Sequence, residues 1–133
     1  MPAIYPVFER PLQGADAFNG NSLSRCLTQL DEMATARKVT PLSLFIDSAT
    51  MVREVLDDDE IAAMAVPELK WLQPADGLLT IRALLADADQ NNVRFQSRRG
   101  DQTESVLAEL KQLEELLVAA AADSNRFHLL VDM

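Results

Sequence analysis

The sequence predicts a mainly helical α+β fold, with four or five helices around a long helix near the carboxyl end and a small sheet formed by strands from the two termini. Three observations predict it. Residues 104–123 form a long amphipathic segment, leucine and alanine dominate the 48% apolar content, and aromatic residues make up only 5%. Leucine and alanine favour helices, whereas strands are enriched in β-branched and aromatic residues. With 133 residues, the chain is expected to form a single domain over residues 1–133.

Residues 104–123 are the predicted central helix. At about 100° per residue, its apolar side chains fall within an arc of roughly 100°, as expected for a helix with one buried face. Asp101 or Thr103 offers an oxygen to cap the first turn, and the polar run 123–125 ends the helix. The side chains predicted to face the core are Val106, Leu110, Leu113, Leu117, Ala120 and Ala121.

Strand patterns lie at the two termini. Residues 3–9 are rich in strand formers, but Pro6 has no backbone N–H, which predicts an edge strand. Residues 126–133 alternate between apolar and polar, with Leu130 as the exception, which predicts a half-buried strand that pairs with the first. One face holds Phe127, Leu129, Val131 and Met133, and the other holds Arg126, His128 and Asp132.

Two further helices are predicted from apolar residues at helical spacing. Residues 22–38 form the first, with Leu23, Leu27, Leu30 and Ala34 on its buried face. Residues 75–88 form the second, whose wide apolar stripe indicates burial on more than one side. Residues 42–46 are apolar but too few to distinguish a short helix from an extended segment.

Residues 47–66 are predicted to form two short helices with a break near Asp57, because negative charge is unfavourable at the end of one helix and favourable at the start of the next. Trp71 follows in a connector between Pro67 and Pro74 and is expected to point towards the core. The polar residues 89–102 are predicted to form a loop that is longer than most connections and is therefore either mobile or functional.

The charge balance restricts the choice of partner. Twelve basic and 21 acidic residues give a net charge of −9, which repels nucleic-acid phosphates and anionic lipid surfaces. A basic protein, a cation or a neutral small molecule is compatible with this charge, although an acidic surface is most often only a solubility feature. Cys26 is the only cysteine, so an intramolecular disulfide is excluded. No signal-peptide pattern and no membrane-spanning apolar run is found, and a cytoplasmic protein is expected.

Two charged clusters are the candidate contacts with a partner. The acidic cluster could face a basic protein, although four consecutive carboxylates are also typical of a solvated corner. The basic cluster could contact an anion, and with Phe95 it has the composition of a nucleic-acid-binding tip, which the net charge disfavours. The acidic residues are Asp57, Asp58, Asp59 and Glu60, and the basic residues are Arg94, Arg98 and Arg99.

His128 is the one candidate for general acid–base catalysis. Strand alternation puts it on the same face as Asp132, which could orient it, and Glu9 or Tyr5 could also lie nearby. No nucleophile turn or glycine-rich phosphate loop accompanies it, and a lone histidine near a terminus is more often a surface or packing residue. Trp71 with Arg82 and Asp76 could line a small-molecule pocket, or could be a core aromatic beside a surface ion pair.

No metal or cofactor is expected. A single histidine and a single cysteine about a hundred residues apart lack the paired spacing of a zinc site. Residues 87, 89 and 91 have the oxygen spacing of a calcium loop, but its glycine and glutamate positions hold Asn92 and Arg98.

Four short features spread over most of the chain carry a resemblance. They are Leu30-Asp31, Thr40-Pro41-Leu42 with Phe45, Trp71 with Pro74 and Gly77-Leu78, and Arg126-Phe127-His128-Leu129. In their order the chain resembles a family of small, uncharacterised bacterial proteins. The resemblance implies a bacterial cytosolic origin and no catalytic residue.

The functional hypothesis from the sequence is a non-enzymatic protein-binding module, such as an immunity or antitoxin-like protein that caps a basic toxin. The alternative is a small enzyme or ligand-binding domain that uses His128. A homodimer formed through the Pro6 edge strand is a third possibility.

Overall fold

The computed structural model describes residues 3–46 and 71–132, and the side chain of Asp132 lies outside this description. The predicted α+β class is confirmed, and so is the pairing of the terminal strands. The elements are strand β1 (Ala3–Phe8), a 3-10 helix (Ala15–Ala17), helices α1 (Asn21–Arg25) and α2 (Leu27–Ala36), a second 3-10 helix (Leu42–Phe45), helix α3 (Pro74–Gln90), strands β2 (Gln96–Ser97) and β3 (Gly100–Asp101), helix α4 (Thr103–Ala122) and strand β4 (Phe127–Asp132).

Helix α4 is the predicted central helix, and its ends lie within one residue of the expected bounds. It packs against α3, and the two helices run antiparallel because the short β2–β3 hairpin joins them. The predicted core face is confirmed except at Ala121, which is exposed. The buried members are Val106, Leu110, Leu113, Leu117 and Ala120.

Strands β1 and β4 pair antiparallel, from Ala3 opposite Asp132 to Phe8 opposite Phe127. The prediction that β4 is only half-buried is wrong, since His128 is 2% exposed. His128 is covered by a residue that is far away in the sequence. The Trp71 ring lies against the imidazole, with 4.6 Å between the ring centroids.

Two loop and helix predictions also need correction. The single helix predicted over 22–38 is broken at Cys26, whose φ of −107° and ψ of 16° separate α1 from α2. The predicted loop 89–102 begins with the end of α3 and contains the β2–β3 hairpin, which is anchored by the fully buried Phe95.

Residues 42–46, undecided from sequence, form mainly a 3-10 helix. The two helices predicted within 47–66 lie outside the described residues.

Gly77 lies where α3 approaches both α4 and β4 most closely. A Cβ atom at this position would lie 2.7 Å from the Phe127 ring and 2.9 Å from a Leu117 methyl group. Both neighbours are almost completely buried. The absence of a side chain at Gly77 therefore sets the spacing between α3, α4 and β4.

Truncation of the α4 core should be far more costly than truncation of an exposed leucine. We expect Leu117→Ala to lower the free energy of unfolding by about 3–5 kcal/mol, because it leaves a cavity among buried side chains. Leu79→Ala is the matched control, since Leu79 is 65% exposed, and its effect should stay within about 0.5 kcal/mol. Urea unfolding followed by circular dichroism measures both values, and equal losses would contradict the assignment of the core.

Gly77→Ala should destabilise the protein although alanine favours helices by about 1 kcal/mol over glycine. The added methyl group would press on Phe127 and Leu117, and overpacking of this kind costs about 1–3 kcal/mol. The same substitution in a Phe127→Leu background should cost less, because the shorter side chain leaves room. A stabilising Gly77→Ala in the wild-type background would show that α3 is not held at this distance.

Candidate functional site

A groove of about 730 Å³ runs beside β1 and is the candidate functional site. One wall is β1 itself, and the other is the segment 9–19, which includes the first 3-10 helix. The apolar part of its lining comprises Ala3, Tyr5, Pro6, Val7, Phe8, Pro11, Leu12, Ala15 and Phe18.

The backbone of β1 presents hydrogen-bonding groups to this groove. Glu9 N–H donates to the Arg126 carbonyl at 2.9 Å, so the backbone N–H and C=O groups of Glu9 point towards β4. Because the backbone groups of successive residues in a strand point to opposite edges, those of Pro6 and Phe8 point away from β4. Within the described residues, no backbone group bonds to the Phe8 N–H, the Phe8 carbonyl or the Pro6 carbonyl.

The edge of β1 is closed at only one described point. Ile4 N–H donates to the Gly20 carbonyl at 3.2 Å, where the chain returns to the strand. A Cβ atom at Gly20 would lie 2.2 Å from the Ile4 carbonyl oxygen, so this return requires glycine. Pro6, predicted to mark an edge strand, does so, and with respect to residues 3–46 and 71–132 the edge is open from Pro6 to Phe8.

The wall formed by segment 9–19 is fastened to the α4–β4 connection. Asn125, which is 3% exposed, accepts the Arg10 N–H at 3.0 Å and donates to the Arg10 carbonyl at 2.9 Å. The Arg10 guanidinium also donates to the Asp123 carbonyl. This reciprocal pair of bonds fixes the position at which the chain leaves β1.

The ionisable groups of the groove are mostly engaged elsewhere. Glu9 accepts from the Arg126 Nε and Nη2 atoms at 2.6 and 2.8 Å, and these bonds lower the pKa of Glu9. The Arg10 guanidinium donates to the backbone carbonyl of Asp123, which holds its position without neutralising its charge. Asp16 is exposed and makes no hydrogen bond or ion pair with the described residues. It is therefore the carboxylate of this groove that is free to meet a ligand.

His128 does not line the groove. It faces Val7 across the β1–β4 ladder, and the Trp71 ring covers it. Glu9, one of its predicted neighbours, is occupied by Arg126, and the side chain of the other candidate, Asp132, lies outside the described residues. The role of His128 as a catalytic base stays a prediction, and its place in the structure resembles that of a packed core residue.

The three predicted arginines all lie on or beside the β2–β3 hairpin. Arg94 forms an ion pair with Asp101, whereas the exposed Arg98 and Arg99 occupy the two-residue turn between the strands. They form a small basic tip on an acidic protein. The four residues of the predicted acidic cluster, Asp57 to Glu60, lie outside the described residues.

Asp101 holds the base of the hairpin to the first turn of α4. Its carboxylate accepts the Thr103 hydroxyl at 2.5 Å and the Thr103 N–H at 2.9 Å. The N-cap position itself is held by Gln102, which makes no side-chain cap bond, so the prediction that Asp101 or Thr103 is the N-cap is wrong. The bonds from Thr103 and the Arg94 ion pair lower the pKa of Asp101 to about 2. Phe95 N–H donates to the Thr103 hydroxyl at 2.9 Å, which joins the buried anchor to the same cluster.

One half-buried carboxylate was not predicted from the sequence. Glu109 of α4 accepts the N–H groups of Ser22 and Leu23 at 3.0 and 3.1 Å, so it caps α1 from a distant part of the chain. Burial raises the pKa of Glu109, and burial followed by the nearby Glu109 charge raises the pKa of Cys26. The only sequence feature that pointed to Glu109 was its position at the edge of the apolar stripe of α4.

Two other polar clusters have structural partners. Asp87, the first residue of the calcium-like spacing, pairs with Arg37 at 2.6 Å and accepts from Asn91 at 2.5 Å. Arg82 pairs with Glu114 of α4 at 3.3 Å, which replaces the ion pair with Asp76 considered from sequence. Among residues 3–46 and 71–132, no group of three or more potential metal ligands is found.

No protein-family model, curated protein or solved structure matches this chain. In the described part of the chain, no helix has the length and apolar character needed to cross a membrane.

Neutralising Asp101 should weaken the protein at neutral pH and have no effect in strong acid. The pKa of this carboxyl falls from 3.8 to about 2 on folding, so its stabilising contribution is complete above the higher value and is lost as the pH drops through the lower one. We expect Asp101→Asn to lower the urea midpoint near neutral pH, and we expect this deficit to shrink as the pH falls from about 4 and to vanish only below about pH 2. Asp89→Asn, at an exposed carboxyl near the end of α3, is the control, and a pH-independent effect of Asp101→Asn would contradict the assignment.

Proposed function

We propose that this protein is a non-enzymatic protein-binding module, and that its specific form is an immunity or antitoxin-like protein that caps a basic partner. The observation that carries the proposal is the groove beside β1. Its lining combines open backbone groups of Pro6 and Phe8 with apolar side chains, while Glu9 and Arg10 are held by other residues. Such a lining suits recognition of a polypeptide better than it suits proton transfer.

The net charge of −9 supports a basic partner. Charges of opposite sign raise the rate of encounter between two proteins and suppress pairing with other acidic proteins. Seven of the 21 acidic residues fall within 47–70, which includes the predicted acidic cluster. The tip formed by Arg98 and Arg99 is the other predicted contact surface, and it would suit an acidic patch on the partner.

The alternative of a small enzyme or ligand-binding domain gains no support from His128, which is 2% exposed and covered by Trp71. A general base must come within about 3 Å of the proton that it removes, directly or through one water molecule. A cytoplasmic location belongs to the same proposal, because the buried Cys26 thiol is compatible with a reducing compartment.

The two predicted contact surfaces can be separated by neutralising each one. The full chain, carrying an affinity tag, is used to capture and identify a stoichiometric partner, and binding of the purified partner is then measured by interferometry. For a basic partner, substitution of Asp57, Asp58 and Asp59 by asparagine should lower the association rate about tenfold at low salt. The matched variant with Arg98→Gln and Arg99→Gln should bind at least as fast as the wild type.

The reverse ranking of these variants would show that the partner is acidic and would overturn the toxin-capping form of the proposal. If affinity capture with the tagged full chain and cross-linking in the source cells both yield no partner, the binding-module proposal itself fails.

A further inference from the structure

We propose that the open edge of β1 binds an extended, basic segment of the partner protein, which adds to the β1–β4 sheet as a further strand. The inference rests on the proposed function and identifies the surface that performs it. It concerns Phe8 and Asp16, which the sequence hypotheses did not assign to binding, and Pro6, which they considered only as the edge of a homodimer.

The hydrogen-bonding pattern of the edge defines the ligand. Phe8 offers one donor and one acceptor to the groove, and Pro6 offers one acceptor. An antiparallel segment can accept from the Phe8 N–H and donate to the carbonyls of Phe8 and Pro6. Extended peptides bind to exposed sheet edges in this way, with main-chain bonds supplying affinity and flanking pockets supplying specificity.

The groove limits the bound segment to a short one. The edge is closed at Ile4 by Gly20, and beyond Phe8 the chain turns away where Asn125 holds Arg10. The volume of about 730 Å³ falls within the range of roughly 300–1,000 Å³ that is typical of ligand sites. Apolar side chains on both walls would contact alternate side chains of the segment.

The charge of the whole protein and the exposed Asp16 favour a basic segment, while Arg10, the cation of the same lining, is turned towards the Asp123 carbonyl. Asp16 is the exposed carboxylate of the groove that makes no ion pair with the described residues, whereas Glu9 is neutralised by Arg126. A Lys or Arg side chain of the segment would meet Asp16 without displacing an existing contact. The net charge of −9 attracts such a segment to the protein.

The net charge of the chain and the missing N–H of Pro6 argue against a second copy of this chain at the edge. Two copies with a net charge of −9 repel each other. In a two-fold antiparallel pairing centred on Val7, each Phe8 lies opposite the other copy's Pro6. Because proline has no N–H, both Phe8 carbonyls would be left without a donor. A pairing centred on Phe8 would be limited to that one residue pair, because Arg10, which would lie opposite Pro6, bonds to Asn125 through both of its backbone groups.

Amide hydrogen exchange in the isotope-labelled full chain tests the proposal directly. The probe is a capped hexapeptide of alternating valine and lysine, and the matched control peptide alternates valine and glutamate. In the free protein, the N–H of Phe8 should exchange rapidly, whereas the neighbouring Val7 and Glu9 amides are protected by β4. Saturation with the valine–lysine peptide should slow exchange at Phe8 about tenfold or more, because the amide becomes hydrogen bonded.

Two variants distinguish the contribution of the Phe8 N–H to peptide binding from that of the Phe8 side chain. Phe8→Ala and Phe8→Pro both remove the ring that packs 6.3 Å from Phe127, but only Phe8→Pro also removes the outward N–H. Neither change removes a bond to β4. The Kd for the valine–lysine peptide should be at least about tenfold higher for Phe8→Pro than for Phe8→Ala.

A second pair of variants tests the charge and does not depend on the folding of Phe8→Pro. Asp16→Asn should raise the Kd for the valine–lysine peptide severalfold, while Asp89→Asn, at an exposed carboxyl on α3, should leave it unchanged. Equal binding of the two peptides, or equal effects of the two asparagine variants, would overturn the choice of a basic segment.

Unchanged exchange at Phe8 in the presence of peptide would overturn strand addition. Protection of Phe8 without peptide, together with a doubled mass in sedimentation, would show that a second copy occupies the edge. A captured partner that leaves Phe8 exchange unchanged and instead shifts the amides of the β2–β3 hairpin would overturn this inference while leaving the binding module intact.

Discussion

The packing of Phe127 against Gly77 is the contact on which the described fold depends. The missing side chain of Gly77 allows the Phe127 ring to reach α3. The same ring stacks on Phe45 with centroids 5.7 Å apart and packs at a tilt against Phe8. The Phe127 backbone exchanges two hydrogen bonds with Leu72, at 2.7 and 2.9 Å. One residue of β4 thus ties together α3, β1, the second 3-10 helix and the segment that leads into α3, so their positions are set jointly.

This arrangement explains why the open edge belongs to β1. β4 is paired with β1 along one edge, and its other edge is bridged by Ile46 at Leu129 and by Leu72 at Phe127. Its backbone groups are therefore largely satisfied from within the chain. β1 has no comparable cover beyond Ile4 in the described residues, and Pro6 reduces the number of donors that it exposes. Proteins protect sheet edges with proline, charge and short strands, since an uncovered edge attracts other chains. In β1 this protection is partial, so a short part of the strand edge can still form hydrogen bonds with a ligand.

The sequence predicts those elements whose buried faces repeat at a regular period. The leucines of α4, the strand-forming residues of β1 and the alternation in β4 were sufficient to place three elements and the pairing of the two strands. Features that depend on partners distant in the chain were not predictable. The helix break at Cys26 has no local sequence signature, and the hairpin depends on one buried aromatic, Phe95, within a polar segment. His128 looked like a surface residue because alternation cannot reveal that Trp71 covers it. Pro6 identified the edge strand. The groove, however, also depends on the bond between the Ile4 N–H and the Gly20 carbonyl, which brings the chain back to β1 and involves a partner outside the strand.

The ion pairs of this protein connect surface segments and contribute little to its core. In the described pairs Arg37–Asp87, Arg82–Glu114 and Arg126–Glu9, the basic side chain is at least 44% exposed, and solvent screening makes such pairs contribute little to stability. Stability therefore resides mainly in the apolar contacts among α3, α4 and β4. Each of these pairs also neutralises one carboxylate with one scarce basic residue, so the charge that can act outside the molecule is carried by unpaired acids such as Asp16. Changes among those acids would alter recognition with little effect on folding, which is the separation that an adaptable binding module requires.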